Sequence, residues 1–198
     1  IKDRVNSNQH QLVDSVRGGN LAVTCPGNSA NQAYVAPSGN SVAWCWNAPE
    51  AFTPTVASGS GPTNLQGYRN TDAGFSIITF DSPATAPLAT VTHGLDQEPE
   101  FVITKNKEEA GNGFYVYHKS TGTGQALYLH ASSTGLTYPN YFAVNSTAFG
   151  SGISGAGLMY KNQVWYAWHS VEGFSKFGLF TGNGSADGPF VYTGFKPA

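Results

Sequence analysis

The stretch Val164-Trp165-Tyr166-Ala167-Trp168 decides the fold class: it is short, continuously apolar, and built from aromatic and β-branched residues. Such side chains suit a pleated sheet, in which successive residues point to opposite faces. Working outward, the same character recurs in Phe75–Phe80 (FSIITF), Phe101–Thr104 (FVIT), Phe114–His118 (FYVYH), Leu127–Leu129 and Phe190–Tyr192. Each run is bounded by Gly, Pro, Asn, Asp or Ser, and several lie about a dozen residues apart, as in an antiparallel sandwich or barrel. Helical periodicity is confined to Asn8–Val16, enough for about two or three turns. Residues Thr53–Thr71, rich in Pro, Gly, Ser and Thr, lack a periodic apolar pattern and read as a linker or long surface loop. The chain is therefore expected to be all-β.

The deciding stretch also belongs to an internal repeat. Asn40-Ser41-Val42-Ala43-Trp44-Cys45-Trp46 and its continuation to Phe52 align without gaps to Asn162–Phe174, with Asn, Val, Trp, Glu and Phe in register. Upstream, Lys2-Asp3-Arg4 matches Lys105-Asn106-Lys107, and Leu12-Val13-Asp14 matches the Tyr115–His118 region. Downstream, Gly74-Phe75-Ser76 recurs at Gly173-Phe174-Ser175, and Gly194-Phe195-Lys196-Pro197 echoes Gly94-Leu95 and Pro99. The period is about 100 residues, the size of one small β domain. This divides the chain into a partial unit at 1–52, a linker at 53–73, a complete unit at 74–173 and the first part of a further unit at 174–198. Two architectures follow. Either the chain is cut from a longer array, or residues 174–198 supply the strands that 1–52 lack, within the chain or between subunits, since bare sheet edges need partners. The opening Ile1-Lys2-Asp3-Arg4 has neither an initiator Met nor a signal core, and reads as a processed product or part of a longer chain.

Composition narrows the function classes. The 198 residues are 40% hydrophobic and 11% charged, which is globular rather than disordered. Ten Lys and Arg against twelve Asp and Glu, with no basic run, argue against a nucleic-acid footprint. No apolar run approaches the roughly 20 residues of a membrane span. Cys25 and Cys45 have no metal spacing, and the sequence leaves open whether they pair; Cys45, inside an apolar run, reads as a small core side chain.

Several segments resemble a repeat family found in structural proteins of marine bacteriophages. They are Lys2-Asp3-Arg4 with His10 and Asp14-Ser15-Val16-Arg17-Gly18, Val42–Trp46, Val116–Ser120, Val171–Gly178, and the long run Thr181–Ala198. The resemblance implies antiparallel, jelly-roll-like β-sandwich units in a fibre, tail appendage or capsid surface, on the phage particle. It implies other copies of the chain or other virion proteins as partners, and no catalytic residues.

Candidate sites are few. His93 and His118 lack a G-x-S-x-G or H-E-x-x-H context, so structural roles are favoured. Asp96, Glu98 and Glu100 alternate, so an extended backbone would set three carboxylates on one side as candidate Ca²⁺ ligands, against the plainer reading of a solvated loop. Asn183–Gly188 imitates the start of a calcium loop, but Gly194 stands where a bidentate Glu is needed, and a turn closed by Asp187 is preferred. Asn145-Ser146-Thr147 and Asn183-Gly184-Ser185 fit the N-glycosylation pattern, which carries no meaning in a phage protein. Among the aromatics, Trp46 and Trp168 read as core, while Trp44, Trp165 and Tyr166 are candidates for an exposed face that could stack on sugar rings or dock a protein partner, against the preferred reading that sandwich strands bury their aromatics. The sequence thus favours a non-enzymatic virion component without cofactor, then a host-surface glycan adhesin, then a polysaccharide hydrolase, which would need two converging carboxylates.

Overall fold

The computed structural model describes residues 2–3, 10–14, 16, 21–25, 32–33, 41–42, 44–85, 88–108, 114–129, 135–154 and 157–196. Regular structure in these residues is strand apart from two short 3₁₀ turns, Lys119–Thr121 and Gly157–Met159. In chain order the strands are β1 (Lys2–Asp3), β2 (His10–Val13), β3 (Leu21–Cys25), β4 (Gln32–Ala33), β5 (Ser41–Val42), β6 (Glu50–Phe52), β7 (Val56–Gly59), β8 (Thr63–Asn70) and β9 (Phe75–Asp81). They continue as β10 (Ala89–Thr92), β11 (Phe101–Asn106), β12 (Phe114–His118), β13 (Gln125–Tyr128), β14 (Leu136–Thr137), β15 (Phe142–Val144), β16 (Ala148–Ser151) and β17 (Gln163–Trp168). The chain is all-β, as its aromatic and β-branched runs predict.

The strands form an eight-stranded sheet ordered β14-β13-β12-β11-β17-β9-β8-β6, a four-stranded sheet ordered β15-β16-β10-β7, and an N-terminal sheet ordered β4-β3-β2-β1-β5. Their pairings are antiparallel. The deciding stretch is central: Trp165 stands opposite Thr104 of β11 on one side and Ile78 of β9 on the other.

Both faces of this strand are covered. On one, Trp165, Ile78, Phe80 and Val102 join Val91, Phe142 and Phe149 of the four-stranded sheet in a single core. Trp165 is fully buried and stacks on Phe149 with ring centroids 4.6 Å apart. On the other face, Phe75, Ile77, Ile103, Tyr166 and Trp168 form a second cluster, against which Leu12, Val16, Ala48 and Phe177 pack. Residues from the N-terminal segment thus lie over the outside of the large sheet. A strand buried on both faces must be apolar at every position, which is why this run shows no polar alternation.

Three local expectations change. His10–Val13, within the expected helix, is a strand paired to β3, since the ladder satisfies its backbone and Leu12 is needed on the outer cluster. The stretch read as a linker supplies β7 and β8 to two different sheets; Gly67 sits where a Cβ would come within 2.5 Å of the Phe52 ring, so the glycine that looked like a loop marker makes room for packing. Phe190–Tyr192 forms no ladder, and Phe190 is 91% exposed.

Trp165→Ala is expected to destabilise the fold by about 3–5 kcal/mol, the usual cost of emptying a large aromatic site. Urea unfolding followed by circular dichroism checks this; a loss below about 1 kcal/mol would mean the two sheets do not share this core.

Candidate functional site

A cleft of about 320 Å³ lies where the N-terminal segment crosses the large sheet. One wall is Leu12–Asp14 of β2 and its exit together with Trp44, Cys45 and Trp46; the other is Phe75, Ile77, Ile103, Tyr166 and Trp168. Strand alternation explains the second wall: Tyr166 and Trp168 are two residues apart on β17 and project to the same face, away from Trp165. Trp46 meets Trp168 edge-on at 5.3 Å, while Tyr166 and Trp168 are stacked at 6.3 Å. The Tyr166 hydroxyl donates to Asp14 Oδ2 at 2.7 Å, joining the walls across 152 residues of sequence.

The cleft is amphipathic in a specific way. Trp44 and Trp46 are 59% and 52% exposed, whereas Tyr166 and Trp168 are 6% exposed. The Trp168 indole N–H is buried and meets no acceptor among the described residues. Asp14 is the one carboxylate among the described lining residues.

The aromatic candidates therefore separate. Trp44 is exposed and Tyr166 lines the cleft, but Trp165 is removed from any surface by its stacking on Phe149 and its place in the inter-sheet core. Trp46, read as core, is half exposed at the rim, because the segment carrying it lies over the sheet instead of within it. Cys45 is an exposed free thiol and not a core side chain, for the same reason; the Cys25 side chain lies outside the described residues. Asp14 could not be singled out from sequence, since its partner is remote; the only signal is its place in the Asp14–Gly18 motif.

The three alternating acids do not converge. Asp96 accepts from His169 Nε2 at 3.0 Å, whereas Glu100 Oε2 accepts from the Ser170 backbone N–H at 2.9 Å and from the Ser170 hydroxyl. Glu98 is half-buried, near enough to Tyr117 for its charge to help raise that phenol's pKa, after the larger effect of burial. No group of three or more His, Cys, Asp or Glu among the described residues is placed to hold a metal ion. Asp96 and Glu100 instead latch the chain as it leaves β17. Burial works to raise the Glu100 pKa, but the Ser170 hydrogen bonds and the Lys119 charge outweigh it and hold the carboxyl below its usual range.

The histidines also serve the fold. His118 Nδ1 accepts from Ser120 N–H at 3.1 Å and caps the turn at Lys119. Fully buried His93 accepts the Leu95 N–H at Nδ1 and reaches the Asn145 carbonyl from Nε2, which suits the neutral Nε2–H tautomer. Asn145 holds its own turn, its Oδ1 accepting from the Thr147 N–H and hydroxyl and from the Ala148 N–H. The Asn183–Gly188 loop is a turn, as expected, but Asn183 closes it in place of Asp187: Asn183 Oδ1 accepts from Ser185 N–H and its Nδ2 donates to the Gly188 carbonyl.

A family model described as a domain of unknown function (DUF7483) matches residues 23–198. Neither a curated protein nor a solved structure matches the chain.

Burial, the dominant effect, lowers the His93 pKa from its ordinary 6.5; the hydrogen bond to Asn145 opposes this, and the His169 charge reinforces it. Below the ordinary value the unfolded chain takes up a proton that the folded chain refuses. The stabilisation is therefore complete above pH 6.5 and lost on acidification, at up to about 1.4 kcal/mol per pH unit until folded His93 titrates. Unfolding free energies from pH 8 to pH 5 should show a shallower slope for His93→Gln than for the parent; parallel profiles would exclude His93 as a source of acid sensitivity.

Proposed function

The chain belongs to the DUF7483 family, and we propose that it works as a non-enzymatic building block of a bacteriophage virion, in a fibre, tail appendage or capsid surface, assembled from β-sandwich repeat units. The observation that carries this reading is a recurrence of sheet order. The N-terminal sheet runs β4-β3-β2-β1-β5, and five neighbouring strands of the eight-stranded sheet run β14-β13-β12-β11-β17. Sequence matches pair β1 with β11, β2 with the β12 region, and β5 with β17. The same five-strand plan therefore occurs twice, as expected of units whose role is to stack and extend. The phage assignment rests on the sequence resemblance, which supports a particle location with other copies or other virion proteins as partners.

A rigid, glycine-rich scaffold suits this role, and the cleft gives little support to hydrolysis. Glycoside hydrolysis uses a pair of carboxyl groups, whereas the described lining offers Asp14, already engaged by Tyr166. A second reading, attachment to a host-surface glycan, is favoured by the exposed indoles Trp44 and Trp46 lining the cleft. Sugars present apolar faces to stack on indoles and oxygens to accept from an N–H.

Antibodies to the full chain should label purified particles of its source at fibres, tail tips or shell in electron micrographs; unlabelled particles would refute a virion location. If the cleft takes glycans, host polysaccharide should perturb tryptophan fluorescence, and Trp44→Ala should weaken that binding at least tenfold. An unchanged affinity in the variant would remove the cleft from host attachment.

A further inference from the structure

We propose that the segment Gly178–Thr193 clips onto the N-terminal sheet of a second copy of this chain, adding Gly178–Leu179 as a strand along β5. The inference deepens the building-block reading and rests on it, since it identifies how one unit would hold the next. In the complete unit, β17 is flanked by β11 on one edge and by β9 on the other. Its counterpart β5 is paired with β1 on one edge, Lys2 opposite Val42 and Asp3 opposite Ser41, and has no neighbour on its second edge among the described residues. That edge is where a counterpart of β9 belongs, and an open edge is a template for another chain.

The chain carries such a counterpart outside any sheet. Gly173-Phe174-Ser175 repeats Gly74-Phe75-Ser76 at the start of β9, and Gly194-Phe195 repeats Gly94-Leu95 just beyond β10. In the complete unit this one element feeds both layers, β9 joining the large sheet and β10 the four-stranded sheet. Its copy has the same two-arm form. Gly178–Thr181 and Pro189–Thr193 face one another across a cleft of about 570 Å³, joined through the turn that Asn183 closes. The arms expose what β9 and β10 bury: Leu179 is 66% exposed, Phe180 67%, Phe190 91% and Tyr192 74%, whereas Phe80 and Val91 are fully buried.

The register follows. In β17, Gln163 stands opposite Phe80 and Val164 opposite Thr79. Carried through the two sequence matches, these pairs become Ser41 opposite Leu179 and Val42 opposite Gly178. The preceding turn need not be undone: Ser175 stays bridged to Val171, and Phe177 stays stacked on Phe101 at 5.4 Å. Among the described residues β5 and this segment share no ladder within the chain, so the proposed pairing is between copies.

The test uses the full chain with Cys25→Ala, Cys45→Ala, Ser41→Cys and Leu179→Cys under mild oxidation, so that the two introduced thiols are the only ones present. Directly opposed residues on antiparallel strands are close enough for a disulfide. The expected result is a ladder of dimers and larger multiples that collapses on reduction, absent from either single-cysteine variant, with a 41–179 link identified between molecules by mass spectrometry. The unmodified chain should show a mass that rises with concentration in light scattering, a readout independent of the substitutions. A constant monomer mass without the link, or the link formed within a monomer, would overturn the exchange. Labelled particles combined with such a monomer would leave the virion reading standing while removing this mode of assembly.

Discussion

A sheet strand that is buried on both sides needs two covering layers, and β17 imposes that requirement on the whole molecule. Its odd-numbered residue Trp165 is satisfied by Phe149 and the four-stranded sheet; its even-numbered residues Tyr166 and Trp168 need a cover from elsewhere. The segment around β2 and Trp44–Ala48 supplies it, which is why the cleft, the exposed indoles and the Asp14 contact lie together on that face. Packing aromatics on both sides of one strand thus creates the cleft proposed to take a glycan.

The same strand explains the acids that follow β10. As the chain leaves Trp168 it must turn without losing its backbone partners. The Glu100 N–H donates to the Trp168 carbonyl at 2.8 Å, while the Glu100 carboxylate takes both donors of Ser170. Asp96 holds the buried His169 ring from the solvent side. Two of the three carboxylates that resemble a cation site in sequence are thus used on consecutive residues, His169 and Ser170, to fasten the chain leaving β17.

Much of the fold was legible because its central strands carry aromatic and β-branched residues in short, bounded runs. Phe75–Phe80, Phe101–Thr104 and Val164–Trp168 all lie within strands. Failures occurred where local composition and tertiary need disagree. Thr63–Asn70 looks like a loop, yet forms a long strand whose Gly67 accommodates the Phe52 ring. The site was legible only in kind: an aromatic cluster was evident, but alternation alone could not say which face of β17 met another sheet and which met a looser layer. Trp165 took the preferred core place and not the candidate binding face, whereas Trp46, read as core, came out at the rim. Asp14 depends on a contact that no local pattern encodes.

That Asp14–Tyr166 contact has a further implication, for the order in which the molecule comes apart. Its partners are 152 residues apart in sequence, and the N-terminal residues Leu12, Val16 and Ala48 that pack on the outer face are half-buried, unlike the fully buried inter-sheet core. The outer layer rests on half-buried side chains while the inter-sheet core is fully buried, and regions with fewer buried apolar contacts open at lower free energy. The outer layer is therefore expected to open before the two-sheet body. In that partly open form β17 presents Tyr166 and Trp168 to water, a latent adhesive stripe that the intact protein keeps covered.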